Sequence, residues 1–490
     1  MRAPIRGIAA IAAGLAGIVS VLAMPLAGQQ PQGGPLLEAR ITRVEQGLLP
    51  GVVIAGAPPA PMRLSERMAH YATPGVSVAV VNNGVIEWAR GYGVAEAGGS
   101  TSVTPHTRFQ AASISKSVAS LGLQLLAAER HISLDEPANL RLVSWKVPDN
   151  DLTAKQPVTL RRLLSHTAGL TVHGFGGYEA GRPVPTLVQV LDGVKPANSA
   201  PVRVDVLPGS VNRYSGGGYT VAQQWMNDVG GKPFPSMMAD LVLRPVGMTE
   251  STYEQPLPDR LRGEAASGHG GDGKPIPGRY HTYPELAAAG LWTTPTDLAT
   301  FLIEIQRALA GRSKVIPVAM AREMTTRQIG DYGLGLSVEG TGPSTWFGHG
   351  GSNEGFRCQM AAFTAGGSGA VVMTNGDRGG ALAAELLRAV AREYGWPAWL
   401  PQEKRVVSVD SRVLSGLEGS YELAPGHVLV MRLEGGTLFV YDGAKRAELF
   451  PESATTFFDT VENHAFEFVR DAGGAVTHVV IDGTLRIRRM

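Results

Sequence analysis

A serine and a lysine three residues apart, Ser113 and Lys116, are the residues of this chain best suited to nucleophilic chemistry. They open an apolar segment that is expected to form a buried helix ending near Glu129, and residues three apart on a helix lie on one face. Burial lowers the pKa of a lysine, so its neutral amine can draw the proton from a nearby hydroxyl. The segment Ser113–Lys116 also fits a helix that has small residues on its packed face.

Two later segments carry groups that could act with this serine. In Arg213–Tyr219, a tyrosine precedes three glycines, and we expect a tight loop that presents the Tyr214 phenol to a cleft, where a lysine ammonium would favour tyrosinate as a general base. In Trp346–Phe356, His349 stands among glycines on a strand whose N–H groups could hold an oxyanion. Considered alone, Tyr214 could also be an aromatic side chain that packs inside a turn. His349 could likewise be a hydrogen-bonded histidine at the end of a strand.

Together these segments resemble the serine β-lactamase and penicillin-binding-protein clan, in its class C β-lactamase-like branch that also holds esterases and D-amino-acid peptidases. Weaker matching segments in the same order extend the resemblance over about residues 64–395: Leu163–Leu170, Gly290–Leu298 and Tyr332–Leu336. The resemblance implies an α+β fold, with a β-lactamase/DD-peptidase-like antiparallel sheet flanked by helices.

The resemblance also implies roles for the matching residues. Ser113 would be the acylated nucleophile, while Lys116 and Tyr214 would share its hydroxyl proton and deliver a proton to the leaving group. No cofactor is implied, and no cluster of His, Asp or Glu in the sequence has the spacing of a zinc site.

The glycine-rich strand would bind substrate. His349 stands where the clan has Lys or His, and Gly351 and Ser352 follow it beside the cleft. The backbone N–H groups of Ser113 and Ser352 would form the oxyanion hole.

One position departs from the clan pattern. β-Lactamases have Tyr-x-Asn, and Gly216 replaces that asparagine, which removes an amide donor and acceptor for the substrate. His349 is mostly uncharged at neutral pH and would hold a carboxylate less well than lysine. We therefore expect a serine hydrolase acting through an acyl-enzyme on carboxylic esters or peptide-type amides. A class C-like β-lactamase and a non-hydrolytic penicillin-binding sensor or interaction protein are the alternatives.

The resemblance implies a small-molecule ester, peptide or β-lactam as substrate, and the composition gives no sign of a nucleic-acid partner. The 490 residues carry a net charge of +1, without the basic runs interleaved with aromatic residues that nucleic-acid binding requires. The single cysteine, Cys358, excludes an intramolecular disulfide, and it is expected to be a buried structural thiol.

The chain is expected to be exported and to contain several units. Residues 1–28 have the basic, apolar and small-residue regions of a signal peptide, with an uncleaved anchor as the alternative; after cleavage no stable membrane insertion is expected, so the protein would be periplasmic or secreted. A linker and helix (29–62) would precede a β-lactamase-like domain (63–400). Short glycine-punctuated strands then predict a small antiparallel β-barrel or sandwich over 411–490, similar to the lipocalin-like barrel often attached to such hydrolases.

Within the larger unit, we expect a hairpin at Asn83–Gly84, strands at Gly333–Val338, Arg357–Phe363 and Ala370–Thr374, and a closing helix. Residues 171–212 have little periodicity and should form an irregular region that shapes the substrate pocket.

Overall fold

Helices packed on an antiparallel sheet, followed by a separate closed barrel, make up the described part of the chain. The computed structural model describes residues 34–490 except 58–59, 425–426, 444 and 461–463, so the predicted signal peptide lies outside the described residues. In chain order the helices are α1 (Pro35–Glu45), α2 (Leu64–His70), α3 (Ser115–Glu129), α4 (Asp151–Lys155), α5 (Leu160–Leu164), α6 (Leu187–Asp192), α7 (Gly216–Gly230), α8 (Phe234–Met238), α9 (Arg244–Val246), α10 (Asp259–Arg262), α11 (Leu286–Ala289), α12 (Pro295–Leu309), α13 (Val318–Met324), α14 (Gly379–Glu393) and α15 (Ser411–Ser415).

The strands fall into the large sheet, the barrel and two short pairs. In chain order they are β1 (Val52–Ile54), β2 (Gly75–Asn82), β3 (Val85–Gly93), β4 (Phe109–Gln110), β5 (Trp292–Thr293), β6 (Ser337–Glu339), β7 (Trp346–Asn353), β8 (Phe356–Phe363), β9 (Gly369–Thr374), β10 (Gln402–Lys404), β11 (Gly419–Ala424), β12 (His427–Glu434), β13 (Thr437–Asp442), β14 (Lys445–Pro451), β15 (Thr456–Phe458), β16 (Ala465–Arg470), β17 (Val476–Ile481) and β18 (Leu485–Arg489).

The large sheet has the strand order β3-β2-β9-β8-β7-β6 and is antiparallel throughout. The predicted hairpin joins β2 to β3, with positive φ at both Asn83 (52°) and Gly84 (74°), as a tight two-residue turn requires. Helix α12 packs on one face, while α14 and α1 pack on the other, so both faces are buried. This arrangement confirms the predicted α+β fold.

The C-terminal strands β11–β18 form a closed antiparallel barrel in sequence order. Closure comes from pairing of the first and last strands, with Tyr421 opposite Arg489. Alternating residues fill the interior, including Tyr421, Phe457 and Phe468. The predicted barrel is confirmed, whereas the unit boundaries 29–62, 63–400 and 411–490 stay predictions.

The strand predicted at Gly333–Val338 is wrong over most of its length. Of the segment Gly333–Val338, only the end belongs to a strand, since β6 spans Ser337–Glu339. Gly335 has a φ of 83°, and a Cβ there would collide with the Ser120 side chain on α3. The chain therefore turns tightly against α3 before β6 begins.

The irregular stretch expected at 171–212 contains α6 as its one helix among these described residues. Across the described ranges, no helix combines the length and the apolar character needed to cross a bilayer.

Candidate active site

Ser113 lies in a tight 3₁₀ turn, Ala112–Ile114, immediately before α3. Ala112 has a φ of 50°, a conformation that L-residues other than Asn and Asp rarely adopt and that costs on the order of 1 kcal/mol. Lys116 is in the first turn of α3, and its Nζ lies 2.9 Å from Ser113 Oγ and 2.8 Å from the Ala288 carbonyl oxygen. The structure thus brings together the two residues singled out by their spacing.

Burial makes Lys116 a competent proton acceptor. Its side chain is only 2% exposed, and desolvation lowers its pKa from 10.5 to about 7. Among the described residues, no carboxylate forms an ion pair with it that would restore the charged form. A substantial fraction of Lys116 is therefore a neutral amine at neutral pH.

The glycines after Tyr214 do not form the tight loop that was expected. They are the first turn of α7, which begins at Gly216 and is capped by Ser215, whose Oγ accepts from the Gly218 N–H at 2.9 Å. A Cβ at Gly216 would lie 3.0 Å from Phe175, and one at Gly217 would lie 2.8 Å from the Thr171 carbonyl oxygen. The small residues are needed because the irregular stretch packs directly on this turn of helix.

Tyr214 nevertheless reaches the serine and the lysine. Lys116 Nζ lies 5.0 Å from the centroid of the Tyr214 ring. Burial raises the pKa of Tyr214, and a hydrogen bond with Ser113 opposes this shift only in part. These pKa directions favour Lys116 as the proton acceptor and Tyr214 as a protonated phenol.

His166 belongs to the same cluster, although the sequence reasoning gave it no role. Its ring centroid lies 4.2 Å from that of Tyr214, and its Nδ1 accepts the Ser215 N–H at 3.1 Å. Desolvation and the nearby Lys116 hold its pKa well below the usual range, so it is a neutral imidazole that fixes the backbone after Tyr214. Its place in the weaker matching segment Leu163–Leu170 was the available signal.

His349 lies on β7 and is also neutral. Its Nδ1–H donates to the Gly350 carbonyl oxygen at 2.5 Å, which leaves Nε2 as an acceptor. Among the described residues this Nε2 is buried without a partner. Burial, followed by the charge of Lys116, lowers its pKa to about 3, so His349 is an uncharged imidazole.

Strand β7 runs alongside the turn that carries Ser113. Its pairing with β6 ends at Gly348, and β7 continues past that point. A Cβ on Gly351 would collide with the carbonyl oxygen of Ala111, so the strand and the turn touch through their backbones. Ser352, the next residue, is exposed. The six residues predicted for the site thus fall on three adjoining parts of the chain: the 3₁₀ turn with the start of α3, the segment just before the Ser215 cap of α7, and β7.

The remaining sequence expectations concern Cys358 and metals. Cys358 is buried, its Sγ lies 3.3 Å from the Gln110 carbonyl oxygen, and desolvation raises its pKa to about 12. This is the structural thiol that was expected. In the described ranges, no group of three or more His, Cys, Asp or Glu side chains is placed to hold a metal ion.

Two curated hydrolases are similar to this chain in sequence. The chain is 24% identical over 303 residues to a D-aminopeptidase from Brucella anthropi, covering 59% of this chain and 54% of that protein. It is 24% identical over 268 residues to a teichoic acid D-alanine hydrolase from Staphylococcus aureus, covering 54% of this chain and 62% of that protein. The chain thus spans between half and two thirds of the length of these relatives.

The fold is shared with a solved structure of an octameric penicillin-binding protein homologue from Pyrococcus abyssi, with a TM-score of 0.61 at 21% identity over 86% of this chain and 97% of that chain. The family model named Beta-lactamase matches residues 63–394, which is more than half of the chain and contains all six predicted site residues. The predicted resemblance is therefore confirmed, and the chain belongs to the Beta-lactamase family.

Proposed function

We propose that this protein is a serine hydrolase that cleaves esters or amides of D-amino acids through an acyl-enzyme on Ser113. The observation that carries the proposal is the 2.9 Å contact between Ser113 Oγ and the buried Nζ of Lys116. A lysine with a pKa of about 7 is matched to proton transfer at neutral pH, where a general base works best.

In the acylation step, Ser113 Oγ attacks the substrate carbonyl carbon and its proton passes to Lys116 Nζ. The carbonyl oxygen becomes an oxyanion, which the backbone N–H groups of Ser113 and Ser352 would stabilise. When the bond to the leaving group breaks, the Tyr214 hydroxyl donates a proton to the departing oxygen or nitrogen. The Lys116 ammonium then returns a proton to Tyr214.

In the deacylation step, a water attacks the ester formed with Ser113. The water proton passes to the Lys116–Tyr214 pair, and the Ser113 oxygen leaves as the hydroxyl after receiving a proton from the same pair. The products are the free acid and the regenerated enzyme. His166 takes no proton in this scheme and acts by holding Tyr214 in place, because it packs against the ring and accepts the N–H of Ser215.

The substrate class rests on the relatives and on one local feature. The two relatives are named for hydrolysis of D-amino-acid compounds. In this chain, Phe175 lies against Gly216, where β-lactamases have the asparagine of Tyr-x-Asn. An apolar wall at this point supports a compact amino-acid ester or amide over a β-lactam with a polar amide side chain.

Export is part of the proposal. Its support is the basic and apolar pattern of residues 1–28, which lie outside the described part of the chain. The name of the Staphylococcus aureus relative, a teichoic acid D-alanine hydrolase, is compatible with it.

The test offers the purified protein D-alanine p-nitroanilide, its L-enantiomer, a short-chain nitrophenyl ester and a chromogenic cephalosporin. Ser113→Ala removes the nucleophile. Ser117→Ala is the matched control, since it lies one turn further along α3 and its hydroxyl donates to the Gly335 carbonyl oxygen at 2.6 Å. Thermal unfolding of each variant verifies the fold.

We expect turnover of the D-anilide and the ester that is lost in Ser113→Ala and kept in Ser117→Ala, with an acyl adduct on Ser113 detected by mass spectrometry. Activity that survives in Ser113→Ala contradicts the mechanism. A preference for the cephalosporin identifies a β-lactamase, and a stable adduct without turnover identifies a non-hydrolytic binder.

A further inference from the structure

A cavity lies beside β7 and the segment that follows α14. It has a volume of ≈ 530 Å³, it borders His349, and it is lined on the sheet by Glu339, Trp346, Gly350 and Gln359, with Arg388 of α14 completing it. The strand register puts these sheet residues on one face, since Trp346 pairs with Glu339 and Gly350 pairs with Gln359. The missing side chain of Gly350 leaves room above the sheet.

The segment after α14 closes this cavity with an aromatic wall. Trp399 packs edge-to-face on Trp346, with ring centroids 4.9 Å apart. Trp399 has a φ of 63°, a strained conformation for a bulky residue that the surrounding packing must hold in place. Its indole N–H is buried and has no acceptor within the described ranges.

Arg388 is a half-buried cation with no direct partner. Within the part of the chain that the structure describes, its guanidinium makes no hydrogen bond and no ion pair. Desolvation lowers its pKa, although the charge of Glu385 opposes that shift. A partly desolvated guanidinium without a hydrogen-bond acceptor from the protein favours an anionic partner.

The carboxylate whose charge acts on Arg388 is already hydrogen-bonded to another arginine. Glu385 accepts two hydrogen bonds from Arg67, at 2.6 and 2.8 Å, and one from the Tyr71 hydroxyl at 2.8 Å. Two arginines thus share the charge of one carboxylate, and Arg388 is left without a hydrogen-bonded partner among the described residues. Glu339 lines the same cavity from β6 and is exposed; burial and Asp331 raise its pKa, and among the described residues it forms no ion pair with Arg388.

We propose that this cavity is a binding site for a small organic carboxylate with a flat apolar body. The carboxylate would accept the two parallel N–H groups of the Arg388 guanidinium, and the apolar body would lie against Trp346 and Trp399. The Gln359 amide supplies a further donor at the wall. The proposed ligand contacts Arg388, Trp346 and Trp399, none of which takes part in the acyl-enzyme chemistry, although the cavity borders His349.

The probes are phenylacetate and its uncharged isostere phenylacetamide, titrated into the full chain by isothermal calorimetry. Phenylacetate should bind at least about 10-fold more tightly, since a guanidinium–carboxylate pair is a charge-assisted bidentate contact. Arg388→Gln should abolish that preference. Arg392→Gln is the matched control, because it lies one turn further along α14, outside the cavity, with its guanidinium 3.3 Å from the Gly47 carbonyl oxygen.

Three results would overturn the proposal: no binding of phenylacetate, equal binding of the two probes, or undiminished binding in Arg388→Gln. The last result would also mean that the probe enters the catalytic site instead. Should Arg388→Gln unfold, Trp399→Leu serves in its place. It removes the aromatic wall while keeping the cation, and the proposal requires it to weaken phenylacetate binding by about 10-fold.

Discussion

Phe175 occupies the space beside Gly216, so that a Cβ on the glycine would lie 3.0 Å from Cε2 of the ring. The Gly216 N–H also donates to the His173 carbonyl oxygen at 3.0 Å, which anchors the irregular stretch to the first turn of α7. The loss of the asparagine and the presence of the aromatic ring are therefore one structural feature. Restoring the amide requires removing the ring.

The first prediction follows from this contact. Gly216→Asn alone should lower ester turnover and the unfolding temperature, because the new side chain meets Phe175. Combining it with Phe175→Ala should raise cephalosporin turnover by about 10-fold over the parent, the size expected when a buried polar group of the substrate gains a partner. Phe175→Ala alone is the control. A double variant no better than that control would show that the missing amide does not limit β-lactam turnover.

A second prediction concerns pH. The neutral form of Lys116 predominates above its pKa of about 7, so kcat/KM should rise through about pH 7 and then level off. His166 and His349 have lowered pKa values and stay neutral over that range. A rise that continues towards pH 10 would instead assign the base to Tyr214. Glu285→Gln is the control, since burial raises the pKa of Glu285 to about 8 and this variant should keep the midpoint near 7.

A third prediction tests the lysine itself. Lys116→Met keeps the length of the side chain and removes the base, so kcat/KM should fall by about 10²–10⁴, the usual contribution of general-base catalysis. The unfolding temperature at pH 7 should be equal to or higher than that of the parent, because the variant no longer buries an amine. Unchanged ester hydrolysis would exclude Lys116 as the proton acceptor.

A fourth prediction concerns the contact between β7 and the serine turn. In Gly351→Ala the new methyl group collides with the Ala111 carbonyl oxygen and must push the strand away from Ser113. Since small misplacements of reacting groups are costly, kcat should fall by about 10²-fold. Gly350→Ala is the matched control, because its Cβ would meet the flexible end of Gln359 at 3.0 Å. Equal activity in the two variants would show that the contact between β7 and the serine turn does not affect the reaction.

A fifth prediction concerns stability. Glu285 is fully buried, and neither carboxyl oxygen has a partner within the described residues. Because burial raises its pKa from 4.5 to about 8, the folded state binds the extra proton, and stability is lost as pH rises from about 4.5 through 8. Glu285→Gln should therefore stabilise the protein at pH 9 by about 1–3 kcal/mol relative to pH 5, followed by chemical denaturation. A pH-independent difference would mean that the carboxyl has an unseen partner.

Local sequence patterns correctly predicted several elements of the fold. The Asn83–Gly84 turn, the strands around Cys358 and the short C-terminal strands are encoded in nearby residues, and the structure has them. Errors arose where a distant contact overrides a local preference. The glycines at 216–218 have loop propensity, but packing of the irregular stretch and capping by Ser215 hold them in a helix.

The sequence by itself determined the chemical groups and their order: a serine and lysine one helical turn apart, a tyrosine before glycines, and a histidine on a glycine-rich strand. Only the tertiary structure decided how those groups behave. The lowered pKa of Lys116 and the packing of neutral His166 on Tyr214 both arise from burial among residues distant in the chain. Desolvation depends on what surrounds a side chain in space, and spacing along the sequence does not specify it.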